Sequence, residues 1–135
     1  MRKLSRFAVL VAILVFAACS FDISPVDIED GDMCSFCRMA ISEKRYAGEL
    51  IETDGGAKKF DDIGCMLRYI YAQGDAYKPL AVYVADSITK KWLKADEAFF
   101  VRSTSVKTPM GSGILAFRSA QDASDGAVRW NDLTK

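Results

Sequence analysis

The chain has 135 residues, of which 50% are hydrophobic and 27% are charged, and its 18 basic side chains are matched by 18 acidic ones. It contains no histidine, which excludes catalytic triads that use an imidazole base. No basic patch suggests nucleic-acid binding, and the length suits one domain with a hydrophobic core.

The N-terminal residues 1–18 have the pattern of a lipoprotein signal peptide. Three basic side chains precede an apolar run over residues 7–16, which is too short to cross a bilayer as a stable helix. Removing this segment takes three from the 18 basic side chains and leaves 15 against 18 acidic ones, so the net charge becomes about −3. About 115 residues remain, enough for one domain.

Cys19 directly follows two small residues. The stretch Phe16-Ala17-Ala18-Cys19 resembles a bacterial lipobox, with phenylalanine where leucine is usual. We therefore expect Cys19 to carry the lipid and to begin the mature chain; plain cleavage that leaves a free Cys19 thiol is the alternative. Residues 19–32 would then be a lipidated, flexible tether that holds the protein on a membrane surface.

The predicted domain, residues 33–135, begins with a sulfur-rich stretch. Two thiols and two thioethers lie within seven residues, at Met33, Cys34, Cys37 and Met39. Polarisable sulfur without imidazole is a ligand set that favours a soft ion such as Cu(I).

A hairpin is predicted next along the chain. Residues 45–53 are compatible with a strand, Asp54-Gly55-Gly56 is a strong turn signal, and residues 57–60 form the return strand.

A helix follows the hairpin. Asp61 or Asp62 can cap it, and its apolar residues recur at helical spacing. These residues are Ile63, Met66, Leu67 and Ile70. Gly74 ends the helix, and the strand 80–85 completes the order β-β-α-β.

The second half of the chain repeats this pattern weakly. Short strands are predicted over residues 91–94, 98–102 and 114–117, with a flexible loop over 108–113 and a capped helix start at Ser119. The repetition indicates an internal duplication of a ββα-type unit. The predicted class is α+β, with a mostly antiparallel sheet and helices packed on it.

The C-x-x-C pair of Cys34 and Cys37 is compatible with a soft-metal site. Their thiolates would bind Cu(I) together with thioethers from Met33, Met39 or Met110. Met110 is distant in sequence and lies between proline and glycine in a loop, where an apolar side chain has no obvious role in the core.

Three other interpretations of the cysteines remain. A thiol–disulfide oxidoreductase also uses C-x-x-C, although a thioredoxin-like pair follows a core strand rather than a polar tether. A zinc knuckle needs four ligands, and Cys65 would add only a third. A local Cys34–Cys37 disulfide would simply pin the start of the domain. Cys65 lies off the apolar helix face, and we expect it to be structural.

Four motifs occur in the order found in the NosL family. They are Met33-Cys34-x-x-Cys37-x-Met39, Phe60-Asp61-Asp62-Ile63-Gly64-Cys65-Met66, Tyr83-Val84-x-Asp86 with Trp92-Leu93, and Thr108-Pro109-Met110-Gly111-x-Gly113-Ile114-x-Ala116-Phe117. Together with the lipobox, they make the chain resemble these lipoproteins, which are accessory to nitrous oxide reductase.

The resemblance implies a Cu(I)-binding carrier rather than an enzyme. It would be lipid-anchored in the bacterial cell envelope, face the periplasm, and deliver copper to nitrous oxide reductase or another copper-accepting protein. The family fold consists of two related ββαβ units, similar to one in organomercurial lyase. Characterised members are thought to use histidine nitrogen with Cys and Met, so here either sulfur replaces it or a partner protein completes the site. The expected ligands are Cys34 and Met110, then Cys37, Met39 and Met33.

Overall fold

The computed structural model of this chain describes residues 23–124 and 126–135. The predicted signal peptide over residues 1–18 and the predicted lipidation site Cys19 lie outside the described residues. Strands and helices alternate in the order β1 (Gly48–Ile51), β2 (Ala57–Phe60), α1 (Ile63–Gln73), β3 (Ala81–Ala85), β4 (Trp92–Lys94), β5 (Phe99–Arg102), β6 (Ile114–Phe117), α2 (Ala120–Ala123) and α3 (Trp130–Leu133). A single 3-10 turn at Lys44–Tyr46 precedes β1.

The first four strands form an antiparallel sheet in the order β2-β1-β3-β4, and β5 pairs with β6 in a second, two-stranded sheet. The predicted turn between β1 and β2 is confirmed: Gly55 has a φ of 84°, and the Gly56 N–H donates to Asp54 Oδ1 at 2.8 Å. The two sheets meet where the Ser87 N–H, just after β3, donates to the Ala116 carbonyl of β6 at 2.8 Å.

The two halves of the chain share a connectivity. In the first half, β3 follows α1 and pairs beside β1. In the second half, Val128 follows α2 and exchanges both backbone hydrogen bonds with Phe100 of β5, at 2.9 and 2.8 Å. In both cases the segment after the helix lies beside the first strand of the unit. The predicted α+β class with two related ββαβ-type units is therefore confirmed.

One core joins the two units. The helix α1 is capped by Asp62 and ends at Gly74, which has a φ of 85°, as its sequence pattern predicts. Ile63, Met66 and Leu67 of its predicted apolar face are buried, and Ile70 is partly buried. This face packs with residues of the second unit such as Phe100 and Ile114. The burial of this face is what fixes the N-terminal turn of α1 against the second unit.

Four strands are shorter than predicted, three of them by a single residue at the start and β1 by more. The strand predicted over residues 45–53 is limited to Gly48–Ile51, because the chain at Lys44–Tyr46 makes a 3-10 turn, closed by the Ala47 N–H donating to the Lys44 carbonyl at 3.0 Å. The short helix α3 was not predicted. Within residues 23–124 and 126–135, none of the helices is long and apolar enough to cross a membrane.

The described part of the predicted tether lies against the sheet. The Tyr83 hydroxyl donates to the Ile23 carbonyl at 2.9 Å, and the Val26 N–H donates to Glu49 Oε1 at 2.7 Å. Lys59 Nζ lies 2.6 Å from Asp32 Oδ2. Glu49, Lys59 and Tyr83 are cross-strand neighbours, so this segment covers the sheet face opposite α1.

Glu49 is fully buried beneath this segment, and its Oε2 has no hydrogen-bond partner among the residues that the structure describes. Burial raises its pKa above the ordinary value of 4.5, although the Val26 N–H and the charge of Lys59 oppose the rise. Because ionised Glu49 is disfavoured in the folded chain, the free energy of unfolding falls as pH rises from 4.5 through the raised pKa.

Glu49→Gln should therefore increase the free energy of unfolding near pH 7 relative to the natural chain, and the increase should shrink near pH 4. The amide oxygen can still accept from Val26, while the ionisation that opposes folding is lost. Urea unfolding at both pH values measures the difference. Glu97→Gln, at an exposed position, is the control; an effect of Glu49→Gln that is equal at the two pH values would contradict the assignment.

Candidate metal centre

The sulfur-rich stretch forms a tight hairpin. Its arms are joined by a bridge between Met33 and Ala40, and the Cys34 N–H donates to the Met39 carbonyl at 2.8 Å. Arg38 has a φ of 66°, in the left-handed region, which lets the chain reverse direction. The turn brings Cys37 back toward Cys34.

The hairpin docks on the junction between β2 and α1. The Ser35 N–H donates to the Lys59 carbonyl of β2 at 2.8 Å. The backbone N–H groups of Cys37, Asp61 and Phe36 also favour the thiolate form of Cys34 and lower its pKa, against the larger effect of burial. The position of Cys34 is thus set by its own turn and by the start of α1 together.

The two aspartates at this junction have different roles. Asp62 is the N-cap of α1, and its Oδ1 accepts from the Gly64 N–H at 2.7 Å. Asp61 is therefore not needed as a cap. It precedes the cap and lies outside the helix.

Four donor groups converge at this junction. The Sγ atoms of Cys34, Cys37 and Cys65 and a carboxylate oxygen of Asp61 all lie within 4.8 Å of one another. Cys34 and Cys65 are 0% exposed and Asp61 is 2% exposed, while Cys37 is half-buried. Cys37 Sγ lies 3.6 Å from both carboxylate oxygens of Asp61. This cluster can hold a metal ion, and its half-exposed member gives access from solvent.

Burial and neighbouring acidic groups oppose ionisation of Cys34 and Cys65. Burial raises the pKa of the Cys34 thiol, although three backbone N–H groups favour its thiolate. Burial also raises the pKa of Cys65, and the neighbouring charges of Cys34, Asp61 and Cys37 raise it further. A bound cation would remove this repulsion, because it attracts every member of the cluster. The donor set therefore fits a cationic metal.

A loop of the second unit reaches the same junction. The Met110 N–H donates to Asp62 Oδ2 at 2.9 Å, and the Ser112 hydroxyl donates to Asp62 Oδ1. Burial alone would raise the pKa of Asp62, but hydrogen bonds from Ser112, Thr108, Met110 and Gly64 hold it below its ordinary value of 3.8. Asp62 therefore ties residues 108–112 to the helix start.

Residues 108–112 pack tightly against the first turn of α1. A Cβ on Gly64 would lie 2.4 Å from the Ser112 Cβ, so glycine permits the close approach. Met110 is half-buried and packs against the core cluster that contains Cys34 and Cys65. The loop thus places the Met110 side chain against the core that the two units share.

The other two predicted ligands lie on the surface. Met33 is 53% exposed and Met39 is 57% exposed. Met39 lines an open groove together with Asp61 and the loop residues Lys107, Thr108 and Pro109. One end of the donor cluster therefore faces a groove that carries an exposed thioether.

The structure brings Cys34 and Cys37 together, as a C-x-x-C pair suggests, and adds Cys65 and Asp61. The sequence predicts a structural role for Cys65 and a helix cap at Asp61 or Asp62, and the cap is Asp62. No spacing in the sequence joins Asp61 and Cys65 to the C-x-x-C pair, because the hairpin reaches them through a backbone contact with Lys59. Metal ligation by Cys34, Cys37, Met110, Met39 and Met33 stays a prediction.

The structure also bears on the other interpretations of the cysteines. In the described part of the chain Cys34, Cys37 and Cys65 are all free thiols. The count of three ligands that argued against zinc is incomplete, because Asp61 supplies a fourth.

Comparisons with known proteins agree on one family. Residues 25–129 match the sequence model of the NosL family. The chain is 30% identical over 110 residues to the copper-binding lipoprotein NosL of Stutzerimonas stutzeri; the match covers 75% of this chain and spans 57% of that relative's length. The fold is similar to the crystal structure of the copper chaperone NosL from Shewanella denitrificans, with a TM-score of 0.74, 22% identity, and coverage of 83% of this chain and 96% of that one.

Asp62→Asn should lower the free energy of unfolding by about 2 kcal/mol, since buried hydrogen bonds to a charged acceptor are lost. Asparagine caps helices as well as aspartate does. Its amide nitrogen, however, would face the Met110 N–H, a donor against a donor. The substitution therefore tests the loop contact rather than the cap. Urea unfolding measures the effect.

The matched control is Asp86→Asn. Asp86 is also buried, and its carboxylate accepts one short-range bond from the Ile88 N–H at 2.9 Å. A smaller loss is expected there. Equal losses at the two positions would contradict the special role of Asp62.

Proposed function

Since this chain belongs to the NosL family, we propose that it is a membrane-anchored carrier of Cu(I), not an enzyme. The observation that carries the proposal is the convergence of three thiols on one point, within 4.8 Å of one another. Both relatives named above are described as copper proteins, one a lipoprotein and the other a chaperone.

The donor set suits Cu(I). This ion has a filled d shell and accepts two or three polarisable sulfur ligands, and the protein has no histidine that would add nitrogen. Cys34, Cys37 and Cys65 supply the thiolates. Met110 is the proposed thioether ligand, because its backbone is fixed to Asp62 and it packs against the core that holds the thiols. Sulfur thus replaces nitrogen within this chain.

Transfer proceeds by ligand exchange. Cys37 is the most exposed of the three thiols, and Met33 and Met39 lie on the surface of the same hairpin. A sulfur ligand of the recipient attacks bound Cu(I) from this side, and the ligands of the carrier leave one after another. No electron is transferred, so the ion stays Cu(I) throughout. The proposed recipient is nitrous oxide reductase or another copper-accepting protein.

The proposed location is the bacterial cell envelope, on the periplasmic side. A lipid on Cys19 would anchor the chain, with residues 20–22 as the link to the domain. The segment that follows is bound to the sheet at Ile23 and Val26, so the described domain would sit close to the membrane. A relative's description as a lipoprotein supports this arrangement.

A membrane-tethered thiol–disulfide oxidoreductase is the second candidate function, favoured by the proximity of Cys34 and Cys37. Two observations weigh against it. The pair lies in a hairpin turn rather than at the N-terminus of an α-helix, and Cys34 is fully buried with a raised pKa caused mainly by that burial. Reactive C-x-x-C cysteines are accessible and have depressed pKa values.

Cu(I) titration of the reduced protein against a competing chelator tests the proposal. We expect binding tighter than micromolar, and we expect Cys34→Ser and Cys65→Ser each to weaken it by at least about tenfold, because each removes a thiolate from the first coordination sphere. Met110→Leu should weaken it by a smaller factor, since a thioether is an uncharged ligand.

Met66→Leu is the matched control for Met110→Leu. Met66 is fully buried in the core, and a swap of similar volume should leave copper affinity unchanged. If the natural chain binds only weaker than micromolar, the carrier proposal fails. If binding is tight but Met110→Leu behaves like Met66→Leu, Met110 is not a ligand. Catalytic reduction of insulin that Cys37→Ser abolishes would support the oxidoreductase instead.

A further inference from the structure

We propose that an apolar groove at one corner of the first sheet is the surface with which the anchored domain contacts the bilayer. The inference rests on the proposed lipidation of Cys19 and goes beyond it, because an anchor alone does not fix which face of the domain meets the membrane. Its basis is that the described chain begins in this groove, at Ile23. The occupant that we assign to the groove is the interfacial layer of a phospholipid membrane.

The groove exposes apolar side chains to solvent. It is open and has a volume of about 280 Å³. Ile23 is 42% exposed and Leu80 is 45% exposed, and the half-buried Trp130 lines the groove beside them. Exposed apolar side chains that lie together mark interaction surfaces, and tryptophan is enriched at the boundary between water and lipid because its ring is apolar and its N–H is polar. The groove therefore has the side chains of an interfacial contact.

The charged groups at the groove are compatible with phospholipid headgroups. Lys94 and Asp96 line it with opposite charges, and the Arg129 guanidinium, which donates to the Asp96 carbonyl, adds a positive charge beside it. The surface is thus not negative, and it does not repel phosphate groups. A lysine can also lay its apolar stem along the surface while its ammonium group stays among the headgroups. Apolar contact is therefore the expected source of the interaction, and it does not require anionic lipid.

The short link to the proposed anchor keeps this corner close to the membrane. Four residues lead from Cys19 to Ile23. A fully extended chain spans at most about 3.6 Å per residue, so the Cα atoms of these two residues lie no more than about 14 Å apart. Ile23 is itself fixed to the sheet, because its carbonyl accepts from the Tyr83 hydroxyl at 2.9 Å. A lipid on Cys19 would therefore hold the groove, rather than another face of the domain, within reach of the headgroups.

The donor cluster lies at the opposite corner of the same sheet. The groove is at the start of β3, where Ala81 is level with Ala57, while the Cys34 hairpin docks on the Lys59 carbonyl, two residues further along β2. In the order β2-β1-β3, two strand spacings separate β2 from β3. The two corners are thus about 12 Å apart in the sheet. The groove can contact the bilayer while the donor cluster stays open to a recipient.

Fluorescence quenching in vesicles tests this orientation. The chain contains two tryptophans, so Trp92→Phe leaves Trp130 as the reporter and Trp130→Phe leaves Trp92. The full chain, lipidated at Cys19, is reconstituted in phosphatidylcholine vesicles whose acyl chains carry bromine near the headgroup, where it quenches tryptophan only at short range. Since Trp130 lines the groove, its fluorescence should be quenched at least about twofold more strongly than that of Trp92.

Leu80→Glu is the deciding variant, because it puts a charge on the exposed wall of the groove. It should reduce the quenching of Trp130 by at least about twofold, since an unpaired carboxylate resists transfer into an apolar layer. Copper affinity should not change. Ile88→Glu is the matched control: Ile88 is 61% exposed and lies in the turn between β3 and β4, outside the groove, so neither quantity should change. Circular dichroism checks that both variants fold.

Unquenched Trp130 in vesicle-bound protein overturns the inference, and so does equal quenching of the two tryptophans or an equal effect of Leu80→Glu and Ile88→Glu. Trp130 that lipid does not quench, but that loses access to aqueous iodide as the protein-to-lipid ratio rises, would assign the groove to a second copy of the chain and also overturn it.

Vesicle flotation and copper titration separate this inference from the proposed function. A chain that does not float with the vesicles overturns the lipid anchor and this inference together. A chain that floats with Trp130 unquenched overturns the inference alone. Weak Cu(I) binding together with quenched Trp130 overturns the carrier function and leaves the membrane-contact surface standing.

Discussion

The Asp62 carboxylate is the interaction on which the rest of the site depends. One oxygen caps α1 by accepting from the Gly64 N–H, and the other accepts from the Met110 N–H of the second unit. The same residue therefore fixes the direction of the helix that carries Cys65 and the position of the loop that carries Met110. Asp62 keeps a lowered pKa despite its burial because so many donors surround it. A neutral side chain could not satisfy these donors, which is why a charged group lies in the core.

Asp61, one residue earlier, lies in the opposite situation. Asp62 is surrounded by donors, whereas Asp61 faces groups that become negative when they ionise, chiefly Cys37. The two adjacent aspartates thus differ in role. Asp62 is structural, whereas Asp61 faces thiols and has no positive charge beside it among the described residues. Because burial raises the pKa of Cys34 and Cys65, metal binding to their thiolates would release protons. The fold places the donor atoms close together, and the proposed metal ion would supply the positive charge that balances them.

Most of the strands and helices could be predicted from the sequence, because turns, helix ends and apolar faces depend on residues that are close together in the chain. The turn at Asp54-Gly55-Gly56, the apolar face of α1 and its stop at Gly74 follow from backbone preference and helical periodicity. The donor cluster could not be derived in the same way. It requires the hairpin of Cys34 to dock on β2 through the Lys59 carbonyl, a contact between backbone atoms that no side-chain pattern records. The roles of Asp61 and Cys65 depend on this contact.

The division of donors between the two units gives the proposed carrier a route for release. The thiolates and Asp61 belong to one unit and hold their positions through α1 and the Cys34 hairpin. Met110 belongs to the other unit and is held at the site mainly through Asp62 and the close contact of Ser112 with Gly64. A thioether is uncharged and binds Cu(I) less tightly than a thiolate. Met110 is therefore, in the proposed carrier, the ligand that a recipient displaces first.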